Sequence, residues 1–438
     1  MNDIYFIILT YTKRDIKLLL FLFISLLCMQ GYAQERNDSI YTTDSLLNNQ
    51  RSDSILVHFL QKIQIPITDT NEVKLLKSGE EKFLCLFSEI KKAKHHIHLE
   101  YFNFRNDSIA NALFELLKVK AKEGVEIRLI FDAFGNWSND KPLKQKHLDS
   151  ISSYGIEITK FDPFRFPYLN HAFHRDHRKI AIIDGTIAYT GGMNVADYYI
   201  KGLPKIGSWR DMHIRIQGKA VKYLQDIFLE MWNETTKQQV KGAAYYPQFS
   251  EDTAIFDKSI AIVDRAPRIR SKEMRKTYAA SIRSAQHCIQ IVNPYFVPTH
   301  SIREALKDAL ARGVKVEIMI SSKSDIPFTP EATFYLAHKL MKRGANIYLF
   351  NKGFHHSKIM MVDSLYCTVG SANLNSRSLR YDYETNAFIF SKQTTKELSD
   401  LFEKDKKGSI LLTPQRWKER SNWKKILGWF ANLLTPFI

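Results

Sequence analysis

Short apolar, β-branched runs along this chain alternate with longer stretches whose apolar residues recur every three or four positions, the periods of strand and helix. Glu80 to Lys92 puts Phe83, Leu84, Phe87 and Ile90 on one helical face. His96 to Phe104 then predicts a strand, Ser108 to Lys122 a helix and Val125 to Phe131 a strand. The same order returns as strand Cys288 to Tyr295, helix Ser301 to Arg312 and strand Val314 to Ile320. Glu123-Gly124-Val125-Glu126-Ile127 matches Arg312-Gly313-Val314-Lys315-Val316, with each helix stopping at its glycine. Helices near Lys144 to Tyr154 and Thr333 to Arg343 follow, then strands Glu157 to Phe161 and Asn346 to Phe350. The repeat predicts an α/β fold of two pseudo-symmetric halves, with mostly parallel sheets flanked by helices.

This pattern sets the expected boundaries: a first half over 76–236, a polar linker over 237–258 and a second half over 259–410. Residues 34–75 are polar and read as a tether, with a short helix around Ser54 to Ile63 as the alternative. Residues 411–438 read as a basic amphipathic helix. Trp423, Ile426, Leu427, Phe430 and Leu434 fall at helical spacing beside Lys418, Arg420, Lys424 and Lys425. Such a helix either inserts into an anionic bilayer surface or docks on its own domain. At the other end, Lys13, Arg14 and Lys17 precede an apolar run from Leu18 to Met29, and Gly31-Tyr32-Ala33 offers a cleavage site. That run falls short of the roughly 20 residues that span a bilayer. Residues 1–33 therefore read as a signal peptide or anchor, and either exports the body.

The net charge of +17 favours a polyanionic partner, nucleic acid or an anionic membrane. The four cysteines show neither a disulfide framework nor metal-type pairing.

Chemistry concentrates where each half ends its repeat. His177, Lys179, Asp184, Gly191 and Asn194 form the pattern H-x-K-x4-D-x6-G-x-x-N. His356, Lys358, Asp363, Gly370 and Asn373 repeat it with every spacing unchanged. The apolar runs Ile180 to Ile183 and Ile359 to Val362 read as buried strands, so each histidine and its lysine share a face, about 6.5–7 Å apart. Asp184 and Asp363 belong to the same catalytic motif but have the opposite parity, which suits structural supports better than groups touching substrate. Two such copies facing each other would offer two imidazoles, two ammoniums and two amides to a tetrahedral anion. Lysines and the Asn194 and Asn373 amides would clamp phosphate oxygens, one imidazole would attack phosphorus and the other would protonate the leaving oxygen. Each imidazole also needs a carboxylate on its other nitrogen. Asp211, in Trp209-Arg210-Asp211-Met212-His213, and Glu384, in Tyr381-Asp382-Tyr383-Glu384-Thr385-Asn386, are the candidates. A metal cluster of His171, His174, His177 and Asp176 is disfavoured, because the segment has no helical stripe and no full counterpart at His356.

The duplicated H-x-K-x4-D motif resembles the phospholipase D superfamily. The resemblance implies two phospholipase D-like halves, a phosphohistidine intermediate on His177, acid and then base catalysis by His356, and no metal or other cofactor. The swapped histidine roles stay open. Trp209 to Gly218, Asn293-Pro294-Tyr295-Phe296-Val297-Pro298, Asn373 to Ser378 and the tail are similar to bacterial cardiolipin synthases, over roughly residues 75–438. This implies transfer of phosphatidyl from one phosphatidylglycerol to another, with Ser371 adding a hydroxyl at the phosphate. It also implies an anionic phospholipid membrane as partner and a place in the bacterial cell envelope, at the outer face of the inner membrane or in the periplasm. The single short N-terminal apolar run departs from the two membrane helices usual there. It leaves lipid hydrolysis, or an exported phosphodiesterase or nuclease, as alternatives. No aromatic-interleaved basic platform for bases accompanies the charge, so nucleic acid is the weaker partner.

Overall fold

The computed structural model describes residues 50–163, 174–248, 256–325, 329–433 and 435. The expected signal or anchor (1–33), the first part of the expected tether and His171 lie outside them.

Two sheets form the body. The first runs, in spatial order, β2 (Asn71–Leu76), β9 (His213–Gly218), β7 (Ile187–Gly191), β6 (Lys179–Ile183), β3 (His96–Tyr101), β4 (Glu126–Asp132) and β5 (Glu157–Phe161). The second runs β1 (Ile67–Thr68), β10 (Ser259–Arg265), β17 (Glu384–Phe390), β16 (Tyr366–Gly370), β15 (Ile359–Val362), β11 (Cys288–Val292), β12 (Lys315–Ser321), β13 (Asn346–Phe350) and β18 (Ile410–Leu411). A short third ladder joins β8 (Ser208–Arg210) to β14 (Gly353–His355).

The two halves are α/β and repeat each other, but the sheets are mixed rather than mostly parallel. Within the two large sheets only β3–β4–β5 and β11–β12–β13 run parallel, because helices carry the chain back between those strands. Each motif strand instead folds straight back on its successor, β6 on β7 and β15 on β16, as antiparallel hairpins. The motif aspartates make those turns. Asp184 and Asp363 both sit at φ 51°, a left-handed backbone that aspartate tolerates better than most residues.

The sheets pack face to face. Ile180, Ile182, Ile214 and Ile216 of the first meet Met361, Val369, Ala387 and Ile389 of the second in one buried core, with Phe228 and Trp232 from the helix Val221–Thr236. Helices Gly79–Lys92 and Ser108–Lys122 cover the outer face of the first sheet, and Glu273–Ser284 and His300–Ala311 that of the second. The motif strands are therefore central and buried on both faces.

The described part of the expected tether is folded. Residues Ser52–Lys62 form a helix whose Leu56 and Leu60 enter the core of the second half. β1 pairs with β10 of the second sheet and β2 with β9 of the first, so this segment crosses from one half to the other. Its polar composition reflects structure at a surface: one helical face and two edge strands. The tail is not one helix either. β18 closes the sheet edge, and two helices follow, Pro414–Glu419 and Asn422–Leu433.

Candidate active site

Crossed backbone pairing builds the site. The His177 N–H donates to the Tyr383 carbonyl at 3.0 Å, and the Tyr383 N–H donates to the Arg175 carbonyl at 2.9 Å. Across the pseudo-two-fold, β14 runs alongside β8, and the His356 N–H donates to the Arg210 carbonyl at 2.6 Å. Each motif histidine thus lies beside the strand that carries the other half's carboxylate. His177 Nδ1 is 2.9 Å from Glu384 Oε1, and His356 Nδ1 is 2.7 Å from Asp211 Oδ2.

Both carboxylates are buried. Burial pushes Glu384 up, but His177, Lys179 and Ser371 together hold it below the usual carboxylate range. Burial likewise pushes Asp211 up, and Lys358 and His356 outweigh it. An ionised carboxylate only accepts, so each histidine presents Nδ1–H to it and leaves Nε2 with a lone pair. Burial lowers His177 to about 4 against the pull of Glu384. Burial and then Lys358 lower His356.

The lysines follow strand parity. The Lys179 ammonium donates to the His177 carbonyl at 2.5 Å. The Lys358 ammonium lies 2.8 and 2.9 Å from the two ring nitrogens of His356. Burial brings Lys179 to about 7, with Glu384 opposing and Lys358 adding to the shift. Burial brings Lys358 to about 8 against Asp211, Glu384 and Asp325. Two ammoniums crowded in a desolvated site are ready for an anion.

Close approach explains the glycines. A Cβ on Gly192 would meet Asp211 Oδ1 at 2.1 Å, and one on Gly370 would meet Asn386 Cγ at 2.2 Å. Asn194 and Asn373 stand on the loops after β7 and β16, both buried. Among the described residues their amide nitrogens reach only the Tyr199 and Ser378 hydroxyls, at 3.5 and 3.4 Å. Ser371, expected at the phosphate, is engaged elsewhere. Its single proton goes to Glu384 Oε2, and its oxygen accepts from the Thr385 N–H at 3.0 Å, so it props the carboxylate.

The motif aspartates stand apart from the reactive groups. Asp184 accepts from the N–H groups of Lys94, His95 and His96, and Asp363 from those of Gln286, His287 and Cys288. Each ties its hairpin turn to the start of the neighbouring strand. Both oxygens of each are committed to backbone, which suits the structural support that strand parity suggests. The His174 Nδ1–H donates to the Tyr381 carbonyl at 2.9 Å.

The two sides of the cleft differ. Phe102 sets its ring 5.2 Å from that of His177. His356 is enclosed by Trp209 at 5.2 Å, Phe354 at 5.5 Å and Tyr295 at 6.0 Å. The His177 side chain is 16% exposed and that of His356 8%, so the first is the more approachable.

Several buried cations escaped the sequence reading, Arg178 and Lys82 among them. Arg178, between His177 and Lys179, points through the opposite face and reaches Asp264 of the second half at 2.7 and 2.8 Å, with Glu100 at 3.4 Å. Its parity held a clue, because a charge facing the interface of two sheets needs a partner. Lys82 sits inside the first half and donates to the Met193 and Asn194 carbonyls at 2.9 and 3.0 Å, fixing the Asn194 loop. Nothing in its helical sequence context marks it.

Comparison with known proteins agrees with this layout. A family model described as "Cardiolipin synthase, PLD-like domain" matches residues 86–232 and 278–406. A cardiolipin synthase of Listeria monocytogenes serotype 4b is 38% identical over 375 residues, 85% of this chain and 76% of the relative. Cardiolipin synthase 1 of Staphylococcus epidermidis is 35% identical over 407 residues, 91% and 80% of the two chains. Among solved structures, the phosphatidylserine synthase of Haemophilus influenzae Rd KW20 superposes with a TM-score of 0.66 at 14% identity, covering 87% of this chain and 100% of the other. At that identity the likeness is one of fold.

Proposed function

The chain belongs to the cardiolipin synthase family of phospholipase D-like proteins, and from that premise we propose how its own residues carry the reaction. It is a phosphatidyltransferase that joins two phosphatidylglycerol molecules into cardiolipin and releases glycerol. His177 Nε2 attacks the donor phosphorus. The bond from phosphorus to the headgroup oxygen breaks, and His356 gives that oxygen its proton. The acceptor hydroxyl then returns a proton to His356 while its oxygen attacks phosphorus and the phosphorus–nitrogen bond to His177 breaks. The scheme uses no metal or cofactor.

The crossed carboxylate pairs carry this reading. A neutral imidazole with its Nδ1–H fixed on Glu384 is a nucleophile in the right tautomer. The donor phosphodiester brings negative charge between Lys179 and Lys358. That charge offsets the lysines and raises His356 toward the protonated form the first step needs. Lys179, Lys358 and the Asn194 and Asn373 amides hold the phosphoryl oxygens as charge moves onto them.

We further infer an anionic bilayer surface in the bacterial envelope as the working environment, at the outer face of the inner membrane or in the periplasm. Among the described residues no helix is long and apolar enough to cross a membrane. The helix Asn422–Leu433 docks through Gly428 and Ala431 on the helix Thr329–Met341. It leaves Trp423, Ile426, Trp429 and Phe430 exposed, beside Lys424 and Lys425. An apolar stripe with flanking lysines suits an interfacial helix on anionic lipid.

The test is product analysis on labelled phosphatidylglycerol vesicles. Cardiolipin and glycerol from wild type, both lost in His177→Ala and His356→Ala, support the scheme. Phosphatidic acid alone would mean hydrolysis.

A further inference from the structure

The His356 side of the cleft carries a negative charge that the scheme above does not use. Asp325 follows β12 on a short segment tied across the two halves. The Ser322 N–H donates to the Phe350 carbonyl, and the Lys323 ammonium reaches the Ile206 carbonyl in the first half, each at 2.9 Å. The Tyr295 hydroxyl donates to Asp325 Oδ1, and the Tyr295 ring lies 6.0 Å from His356. Trp209 and Tyr198, 4.6 Å apart, continue the wall from His356. The Asp325 charge reaches His356 and Lys358 and adds a small opposition to the lowering that burial imposes on both.

A carboxylate beside an anion site repels the donor phosphate, so its placement calls for a ligand that donates hydrogen bonds. Asp325 Oδ2 has no other hydrogen-bond partner among the described residues, and the Tyr295 oxygen keeps acceptor capacity. The alcohol in this reaction has its reacting oxygen at His356. A vicinal diol has a further hydroxyl one carbon away to donate to these acceptors.

We propose that Asp325 and Tyr295 form the headgroup-alcohol site, holding the non-reacting hydroxyl of glycerol first as it leaves and then as it arrives on the acceptor. This rests on His356 being the acid and base of the reaction, which puts the alcohol on its side. The class recognised is a neutral polyol.

The experiment uses the full chain on phosphatidylglycerol vesicles. It compares labelled glycerol with labelled 1-propanol as acceptors, for wild type, Asp325→Ala, Asp325→Asn and Tyr295→Phe. The expected result is a wild-type preference for glycerol that falls about tenfold to a hundredfold in Asp325→Ala, with Tyr295→Phe losing less. Equal losses on both acceptors in an active enzyme would reduce Asp325 to a prop for Tyr295 and overturn the site. So would an unchanged preference. If ethanolamine were the preferred acceptor and Asp325→Asn abolished that preference, the site would be one for ammonium, and the polyol assignment would fall. No lipid product from wild type would instead sink the transferase reading, and this site with it.

Discussion

Glu384 of the second half lies 2.9 Å from His177 of the first, and Asp211 of the first lies 2.7 Å from His356 of the second. Neither motif histidine takes its carboxylate from its own half. The active unit is defined by the interface and not by the repeat.

Replacing Glu384 with Gln keeps the shape but not the charge that fixes the His177 tautomer. The expected loss in kcat is about 10²- to 10⁴-fold, with an unchanged circular dichroism spectrum. Asp211→Asn should do the same at His356. Activity within twofold of wild type in either variant would remove the orienting role.

The lysines give opposite pH trends for activity and stability. Unfolded lysine titrates near 10.5, whereas Lys179 and Lys358 titrate at about 7 and about 8 in the fold. Between these values the unfolded chain binds more protons, so the lysines' contribution makes stability rise with pH from about 7 toward 10.5. The phosphate clamp needs the protonated forms, so kcat/KM should fall over the lower part of that window. Melting temperature and kcat/KM measured from pH 6.5 to 9.5 test both. The rise in melting temperature should flatten in Lys179→Met relative to wild type. Parallel pH curves for the two proteins would contradict the buried, charged assignment.

Arg178 and Asp264 join the halves through a buried bidentate pair. Arg178→Met alone should destabilise by about 3–5 kcal/mol, because it leaves Asp264 charged without its main partner. The double variant Arg178→Met with Asp264→Leu should recover part of that loss. Chemical denaturation of the three proteins decides it, and simple additivity would mean the pair does not act as a unit.

Changing Trp423, Trp429 and Phe430 to Ser should weaken binding to phosphatidylglycerol vesicles at least about tenfold. Turnover of short-chain, soluble substrate should be far less affected. Equal binding of the variant and wild type in cosedimentation would dismiss the helix as an anchor.

Much of the site was legible because two fixed spacings matched. The repeat singled out His177, Lys179, His356 and Lys358, and the fold brings their charges within mutual reach. The pairing was hidden. Each carboxylate follows its own motif histidine in sequence, and only the face-to-face packing of the sheets exchanges them. Strand direction was also hidden, since an apolar run such as Ile180 to Ile183 reports burial but not the sense of its neighbour. Ser371 misled because a hydroxyl beside a phosphate motif reads as a ligand. The helix around Ser54 to Ile63 was one of two readings of its segment, but its docking, the strands after it and Lys82 escaped for a common reason: polar residues can be buried or ordered by partners that lie far along the chain.

Crossed pairing also sets when, along the chain, the site can first be complete. While the polypeptide is still being made, His177 emerges long before Glu384 exists. A truncated or proteolytically clipped product is in the same position. Such fragments carry a histidine with no carboxylate to set its tautomer, so in the proposed scheme their nucleophile is unprepared. The proposed catalytic pairs are complete only once β17 has joined its sheet, so assembly of the second half and of the site is one event.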